Sequence, residues 1–245
     1  MISIVIPTYN HAKHISHTLD ELMCIMNTQR TSDAFDYEII VVNDASQDHT
    51  TEVLKKYSKQ YAQIHSLILA ENVGQQNATL AGLRYAKYDY IFTYDDDLKY
   101  DPKSIFELKK HLDAGCDVVY GYISKPNQKP MRFWGTRFKE WFFYRFLGKP
   151  RNLCLTSYRG MRRFVVEYII KDCVPNVYIS ARILQMNIHI KNHPVNPGEH
   201  NMYTRYSTKK LVQLMLQVIF NYTRFNKFSY KSKQNCQYII KEIFE

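Results

Sequence analysis

Short apolar runs alternate with helical stretches through the first half of the chain. The runs that predict strands are residues 2–7, 37–42, 64–69, 90–94 and 117–122. Helices are predicted between them at residues 12–27, 50–60, 76–86 and 103–114. Strands that alternate with helices are typical of a parallel sheet with right-handed crossovers. Because each strand is apolar on both sides, we predict an α/β domain with helices on both sheet faces.

The rhythm changes after residue 122. We predict an aromatic-rich helix at 133–147, strands at 153–158 and 188–195, and a helix at 162–171. Apolar residues at helical spacing predict an amphipathic helix, formed by Leu211, Leu214, Met215, Val218, Ile219, Tyr222 and Phe225. It falls short of the roughly 20 apolar residues of a membrane span. Packing on the core and lying in a membrane interface both stay open for it.

Three consecutive carboxylates follow the strand that begins at Tyr90. In extended chain, Asp95 and Asp97 point to one face and Asp96 to the other. Paired carboxylates at the end of a strand suit Mg²⁺ or Mn²⁺, which share their remaining positions with water and substrate phosphates. The alternative is a solvated acidic turn before Pro102.

Composition narrows the classes of partner. The chain has 245 residues and a net charge of +10, with basic residues concentrated at 125–151 and 200–245. This distribution indicates an anionic partner, either phosphate groups, a membrane surface or nucleic acid. Five scattered cysteines without a CxxC pair argue against a zinc site or a disulfide framework and favour a reducing compartment. We see no signal-peptide pattern at the start and no nucleic-acid-reading motif.

Four motifs in the first half identify a resemblance. IVIPTYN at 4–10, VVNDAS at 41–46, NVGQ at 72–75 and DDDL at 95–98 together resemble the GT-A glycosyltransferases of family 2. TSYRGMRR at 156–163 and YTRYSTKKL at 203–211 resemble the polyprenyl-phosphate, dolichol-phosphate-mannose-synthase-like branch. The resemblance implies a GT-A catalytic domain over 1–195, with a nucleotide-sugar half at 1–122 and an acceptor half at 123–195. A basic, amphipathic helical region would follow at 196–245.

The resemblance also implies roles for single residues. Nucleotide-sugar binding would fall to Pro7, Tyr9, Asp44, Asn72, Gly74, Gln75, Asp95 and Asp96. Asp44 would accept hydrogen bonds from a uracil or thymine imide, and Gly74 would let the backbone approach the nucleotide. Asp95 and Asp97 would hold the Mg²⁺ or Mn²⁺ ion, which makes Asp97 catalytic. Gly82 is expected to serve helix–sheet packing.

For the acceptor side, the resemblance favours cations. A lipid phosphate is already anionic and needs no general base, only cations that position it. The residues predicted for this role are Arg132, Arg137, Arg159 and Arg205, with Arg132 also counted as catalytic. A hydroxyl acceptor would need a carboxylate base. The candidates for that base are Asp101, Asp113, Glu140 and Glu199.

These expectations define three functions. The first is inverting transfer from a UDP- or dTDP-sugar to a polyprenyl phosphate, in cell-surface polysaccharide or glycoconjugate synthesis. The second is transfer to a sugar hydroxyl of a lipid-linked oligosaccharide, O-antigen or capsule. The third is a non-catalytic nucleotide-sugar-binding module, favoured by two departures from the family pattern, His11 and Lys99. All three predict a peripheral protein at the cytoplasmic face of the membrane, and leave a homo-oligomer open.

Overall fold

The computed structural model describes residues 1–33, 35–124, 144–145, 149–171, 178–198 and 238–245. The strands are β1 (Ile2–Thr8), β2 (Tyr37–Asn43), β3 (Ile64–Leu69), β4 (Tyr90–Thr93), β5 (Val118–Tyr122), β6 (Arg159–Arg162), β7 (Ile190–Pro194) and β8 (Ile240–Phe244). The helices are α1 (Ala12–Asp33), α2 (Thr50–Gln60), α3 (Gln75–Tyr85), α4 (Ser104–Asp113), α5 (Arg163–Ile170) and α6 (Ile179–Leu184).

The strands of the described residues form one sheet in the order β7-β5-β6-β4-β1-β2-β3-β8. β4, β1, β2 and β3 run parallel, as the alternation of strands and helices predicts. β6 is antiparallel to both β4 and β5, and β8 is antiparallel to β3 at one edge. The parallel order brings the carboxyl ends of four motif-bearing strands to one edge of the sheet.

Successive side chains of the central strands enter two different cores. Ile4 and Ile6 of β1 pack with α1, α2 and α4, whereas Val5 between them packs with α3, α5 and α6. β2 alternates in the same way, with Ile39 facing the first core and Ile40 the second. The continuous apolar runs therefore arise because helices cover both faces of the sheet, and the predicted fold class is confirmed.

Gly82 of α3 allows this helix to approach the sheet closely. A Cβ atom at this position would lie 2.4 Å from Cγ1 of Val5 and 3.0 Å from Cγ2 of Val42. Such separations are far below van der Waals contact, so a larger residue would push the helix away from the sheet. The expected packing role of Gly82 is confirmed.

Three predictions differ from the structure. The C-terminal region predicted to be helical over 196–245 ends in a strand, β8, which pairs antiparallel with β3. Residues 153–158 are not a strand; β6 begins only at Arg159. The sequence did not predict β6 because Arg159 and Arg162 interrupt the apolar pattern that is typical of a buried strand. The strand nevertheless lies between β4 and β5. Helix α1 continues past the predicted end at residue 27 and ends at Asp33. In this last part, Thr28 donates its hydroxyl to the carbonyl of Cys24, and Thr31 donates to those of Asn27 and Thr28.

The predicted helix at 133–147 and the amphipathic helix at 211–225 lie outside the described residues, apart from positions 144–145. Within the ranges that are described, no helix combines the length and the apolar character that crossing a membrane requires.

Candidate active site

Loops that follow β1, β2, β3 and β4 meet at the carboxyl edge of the sheet. Asp44 donates its backbone N–H to Thr8 O at 2.9 Å, and Tyr94 donates to Val5 O at 3.0 Å. These bonds join the loop after β2, and the one after β4, to β1. Carboxyl ends of parallel strands are the usual ligand-binding edge of an open α/β sheet.

Backbone strain marks the same edge. Among the described residues, the non-glycine residues with positive φ are Asn10, Ala45 and Leu98, at 51°, 55° and 48°. Each lies in the loop that follows β1, β2 or β4. A left-handed conformation costs a residue with a Cβ about 1–2 kcal/mol, and such outliers concentrate at functional sites.

Asp44 closes the loop after β3 onto the loop after β2. Its side chain is buried, and its Oδ1 and Oδ2 accept hydrogen bonds from the backbone N–H groups of Val73 and Gly74 at 2.8 and 2.9 Å. Asn72 adds a bond from its amide to Asp44 O at 3.2 Å. Burial raises the pKa of Asp44, and the two backbone donors oppose that rise. We call this arrangement of Asp44 with residues 72–74 the clasp.

The clasp leaves Asp44 able to bind more. Each carboxylate oxygen has a second lone pair beyond the one that a backbone donor uses. Gly74, at φ 82°, directly precedes α3, and no atom lies within 4 Å of the place where its Cβ would be. The predicted positions Asp44, Asn72 and Gly74 are therefore adjacent, beside an open approach to the backbone.

The three acids lie in a turn that we call the acidic turn, residues 95–99. Strand β4 ends at Thr93, so the expected strand-like alternation does not extend through Asp95 to Asp97. Asp95 accepts hydrogen bonds from Gln75 Nε2 at 3.2 Å on Oδ1 and from Ser157 Oγ at 2.7 Å on Oδ2. Asp97 accepts from the backbone N–H of Lys99 at 3.3 Å.

Charge repulsion within the acidic turn favours a cation. Burial raises the pKa of Asp95 and of Asp97, and the charges of neighbouring aspartates raise both further. The ammonium of Lys99 lowers both pKa values, so it lies close enough to compensate part of this charge. Hard carboxylate oxygens under mutual repulsion are a fitting donor set for Mg²⁺ or Mn²⁺.

Protein ligands alone would not saturate such an ion. No group of three or more His, Cys, Asp or Glu side chains among the described residues is arranged to hold a metal. Within this part of the chain, Asp95 and Asp97 would supply at most two ligands of an octahedral ion. Mg²⁺ commonly takes one or two carboxylates and completes its shell with substrate phosphates and water.

The side chain of Asp96 contacts the loop after β1. Its Oδ2 accepts a hydrogen bond from Thr8 Oγ1 at 2.7 Å and lies 3.0 Å from Nδ1 of His11. Its backbone carbonyl accepts from Thr18 Oγ1 at 3.1 Å. His11, a departure from the family pattern, thus contacts the acidic turn and links it to the first motif.

Pro7 and Tyr9 occupy the same edge. Pro7 is buried in β1 beside Val42, and Tyr9 is 43% exposed directly after the strand. Asn10 fixes this loop, since its Oδ1 accepts from Gln47 N at 2.8 Å and its N–H donates to Ser46 Oγ at 2.9 Å. Tyr9 is therefore an exposed aromatic surface on an anchored loop.

The predicted acceptor-side arginines are only partly within the described chain. Arg132, Arg137 and Arg205 lie outside the described residues. Arg159 is 2% exposed, and its guanidinium donates to Thr93 Oγ1 at 3.3 Å and Ser180 Oγ at 2.9 Å. Because these donors are used in the interior, the structure argues against the predicted contact between Arg159 and an acceptor phosphate.

Ser157 is a site residue that sequence reasoning missed. It lies within the TSYRGMRR stretch that carries the resemblance, yet no role was predicted for it. Its hydroxyl holds Asp95 from a position 62 residues away in the chain. The only sequence signal for Ser157 was its place in this stretch, two residues before Arg159. Sequence spacing does not relate it to the three acids.

Known proteins share both the sequence pattern and the fold. The family model described as glycosyl transferase family 2 matches residues 3–170. An undecaprenyl-phosphate 4-deoxy-4-formamido-L-arabinose transferase from Edwardsiella ictaluri is 27% identical over 225 residues, which cover 89% of this chain and 66% of the relative. An uncharacterised glycosyltransferase from Synechocystis is 30% identical over 172 residues, 69% of this chain and 52% of the relative. The chain thus spans less than two thirds of these relatives.

Solved structures support the fold. Glucosyl-3-phosphoglycerate synthase from Mycobacterium tuberculosis, solved with phosphoglyceric acid, has a TM-score of 0.62 at 16% identity, covering 90% of this chain and 78% of that protein. A mannosyltransferase from Pyrobaculum calidifontis, solved with GDP-Man and Mn²⁺, has a TM-score of 0.53 at 17% identity, covering 79% and 54%. Because the family model matches most of this chain, the chain belongs to glycosyl transferase family 2.

Proposed function

We propose that this protein transfers a sugar from a UDP- or dTDP-sugar to a polyprenyl phosphate, with Mg²⁺ or Mn²⁺ at the acidic turn. The observation that carries the proposal is the meeting of the clasp and the acidic turn, joined by the bond between Gln75 and Asp95. A nucleoside diphosphate needs a site for its base and ribose next to a site for its charge. The two arrangements supply both at one sheet edge.

For the nucleoside, the proposal uses the clasp and the loop after β1. Asp44 would accept from the base with its remaining lone pairs, and Tyr9 would contribute an exposed ring. Asn72 and Gly74 would lie along the nucleotide, where the space beside Gly74 permits close approach. Pro7 forms the floor of this pocket in our proposal.

For the diphosphate, the proposal assigns Asp95 and Asp97 as metal ligands and Gln75 and Asp96 as their neighbours. A bound Mg²⁺ or Mn²⁺ would supply Lewis-acid stabilisation of the leaving nucleoside diphosphate. Asp95 is held in place from two sides, and Asp96 anchors the turn through Thr8. A mannosyltransferase of similar fold was solved with Mn²⁺ and a nucleotide sugar.

A phosphate acceptor agrees best with the carboxylates that the structure describes. Asp101 accepts from the N–H of Lys103 at the start of α4, and Asp113 accepts from Lys109 Nζ at 2.8 Å at its end. These two of the four candidate bases thus have structural roles at the ends of this helix, and Glu140 and Glu199 lie outside the described residues. The similar proteins named as undecaprenyl-phosphate transferases act on such an acceptor by name. The acceptor would come to Arg132 and Arg137, with inversion at the transferred carbon, at the membrane surface.

Product analysis tests this function. The protein is incubated with Mn²⁺ and a panel of UDP- and dTDP-sugars, with and without a short polyprenyl phosphate, and products are followed by mass. We expect a sugar–phosphate–lipid that forms only with metal and lipid together. Nucleotide binding without a glycosylated lipid would point to a hydroxyl acceptor, and absence of nucleotide binding would point to a non-catalytic scaffold. Either result would overturn the proposal.

A further inference from the structure

Arg159 is a buried cation that bonds to Thr93, the last residue of the strand that leads into the acidic turn. Its guanidinium donates to hydroxyls of Thr93 and Ser180 and lies 5.8 Å from the ring centroid of Tyr120. Thr93 and Ser180 are also buried, at 2% and 4% exposure. Burying a guanidinium is costly even when some of its donors are bonded. Packing alone does not account for an arginine at this position, because an apolar side chain would fill the space at lower cost.

The guanidinium is connected to Asp95 through Thr93 and Ser157. Because arginine can only donate, Thr93 Oγ1 must accept from it and keep its own proton for another partner. That partner is the backbone carbonyl of Ser157, to which Thr93 Oγ1 donates. The hydroxyl of Ser157 then donates to Asp95 Oδ2 at 2.7 Å. Arg159 thereby positions Thr93, which bonds to Ser157, the residue that donates to the Asp95 carboxylate.

The second oxygen of Asp95 connects back to the same arginine. Gln75 donates to Asp95 Oδ1, and its neighbour Gln76 accepts from the backbone N–H of Ile179 at 3.2 Å through Oε1. The next residue is Ser180, whose hydroxyl accepts from Arg159 Nη1. One path therefore runs from Asp95 through Ser157 and Thr93 to Arg159. The other returns from Arg159 through Ser180 and the start of α6 to the start of α3 and Asp95.

We propose that Arg159 is a positioning residue that fixes Asp95 for the metal ion, and not a contact of the acceptor phosphate. The inference rests on the proposed function, because it assumes the ion at Asp95 and Asp97. Groups behind metal ligands set the orientation of those ligands, and their removal typically weakens metal binding about 10–100-fold. Arg159 acts at one further remove, through Thr93 and Ser157.

The test is a Mn²⁺ titration by isothermal calorimetry, alone and with UDP, on wild type, Arg159→Gln and Thr93→Val. We expect the Mn²⁺ dissociation constant to rise about tenfold in both variants, at the lower end of that range. Arg162→Gln is the matched control. Arg162 lies at the other end of β6 and donates to the carbonyls of Cys116 and Leu112 at 3.1 and 2.6 Å, away from the site. Its Mn²⁺ affinity should equal that of wild type.

Two further comparisons separate the outcomes. The double variant Arg159→Gln/Thr93→Val should lose no more Mn²⁺ affinity than either single variant, since both act along one chain of bonds. If Arg159→Gln does not fold, Thr93→Ser, which keeps the hydroxyl, should bind Mn²⁺ like wild type while Thr93→Val does not. Equal affinity of wild type and Thr93→Val would overturn the inference.

The acceptor provides the last distinction. In Arg159→Gln, the KM for polyprenyl phosphate measured at saturating Mn²⁺ should match that of wild type. A raised KM with unchanged Mn²⁺ affinity would overturn the inference and return Arg159 to the acceptor side. Wild type that binds no Mn²⁺, with or without UDP, would instead refute the proposed function on which the inference depends.

Discussion

The clasp and the acidic turn each hold a carboxylate at the same sheet edge, but by different means. Asp44 is held by two backbone N–H groups, whereas Asp95 is held by two side chains, Gln75 and Ser157. Backbone donors belong to the path of the chain, so Asp44 shapes a loop as much as it offers oxygens. Side-chain donors can be lost singly, so the position of Asp95 depends on distant residues. Among these contacts, the clasp therefore depends on main-chain donors, whereas the position of Asp95 in the acidic turn depends on side-chain donors.

The largest expected effect is on the acidic turn. Asp97→Asn removes the charge of a proposed metal ligand, and a bound metal ion would contribute several kcal/mol of transition-state stabilisation. We expect transfer to fall at least about 100-fold, with the fold retained by circular dichroism. Initial rates at several Mn²⁺ concentrations measure this. Asp36→Asn, which affects an exposed pair with Arg30, is the control and should transfer normally. A fully active Asp97→Asn would remove the metal role.

Breaking the clasp should cost stability as well as donor binding. Asp44→Ala leaves the N–H groups of Val73 and Gly74 without their acceptor, at about 1–3 kcal/mol for each unsatisfied group. We expect a lower free energy of unfolding in urea and weaker UDP binding by calorimetry. Asp97→Asn should show no comparable loss of stability. If Asp44→Ala unfolds like wild type, the clasp is not the structural element inferred from its bonds.

Two glycines distinguish loop shape from helix packing. Gly82→Ala places a Cβ against Val5 and should destabilise the fold by about 1–3 kcal/mol. Gly74→Ala meets no atom within 4 Å but holds alanine at φ 82° and ψ 157°, a region adopted almost only by glycine, which costs about 1–3 kcal/mol. Thermal unfolding and UDP titration of both variants test this. Only Gly74→Ala should weaken nucleotide binding in the folded protein; the reverse pattern would contradict the placement of the donor pocket.

The smallest effect concerns Lys99, whose ammonium lowers the pKa values of Asp95 and Asp97 and would compete with the proposed ion for them. Lys99→Gln removes a partly screened charge interaction of about 0.5–1 kcal/mol. We therefore expect Mn²⁺ affinity to increase about 2–5-fold, measured by the same titration. Lys109→Gln, which removes the partner of Asp113 on α4, should leave Mn²⁺ affinity unchanged. A decrease in Lys99→Gln would mean that Lys99 supports the acidic turn instead of competing with its ligand.

Local sequence patterns predicted the secondary structure of the nucleotide-sugar half, residues 1–122, well. The apolar runs around Ile4 and Ile39 gave the strands, and their parallel order brings the motifs together. The three acids of the acidic turn stood out in the sequence because charged carboxylates directly after an apolar strand would be costly to bury without a partner. The contacts that hold them did not stand out, because Ser157 and Arg159 reach Asp95 and Thr93 across more than 60 residues. Nor does any local pattern show that β6, with its arginines, lies inside the sheet, because its flanking strands are remote in sequence.

The antiparallel strand β6 has a consequence for the order of folding. β4 and β5 follow one another in the chain, yet neither pairs with the other, because β6 lies between them. During synthesis the first four strands can associate early, but this gap can close only after residue 162 has emerged. Ser157 and Arg159 arrive with that strand. The step that joins β4 to β5 is therefore also the step that brings Ser157 to Asp95, so a nascent chain should order the acidic turn only after β6 has entered the sheet.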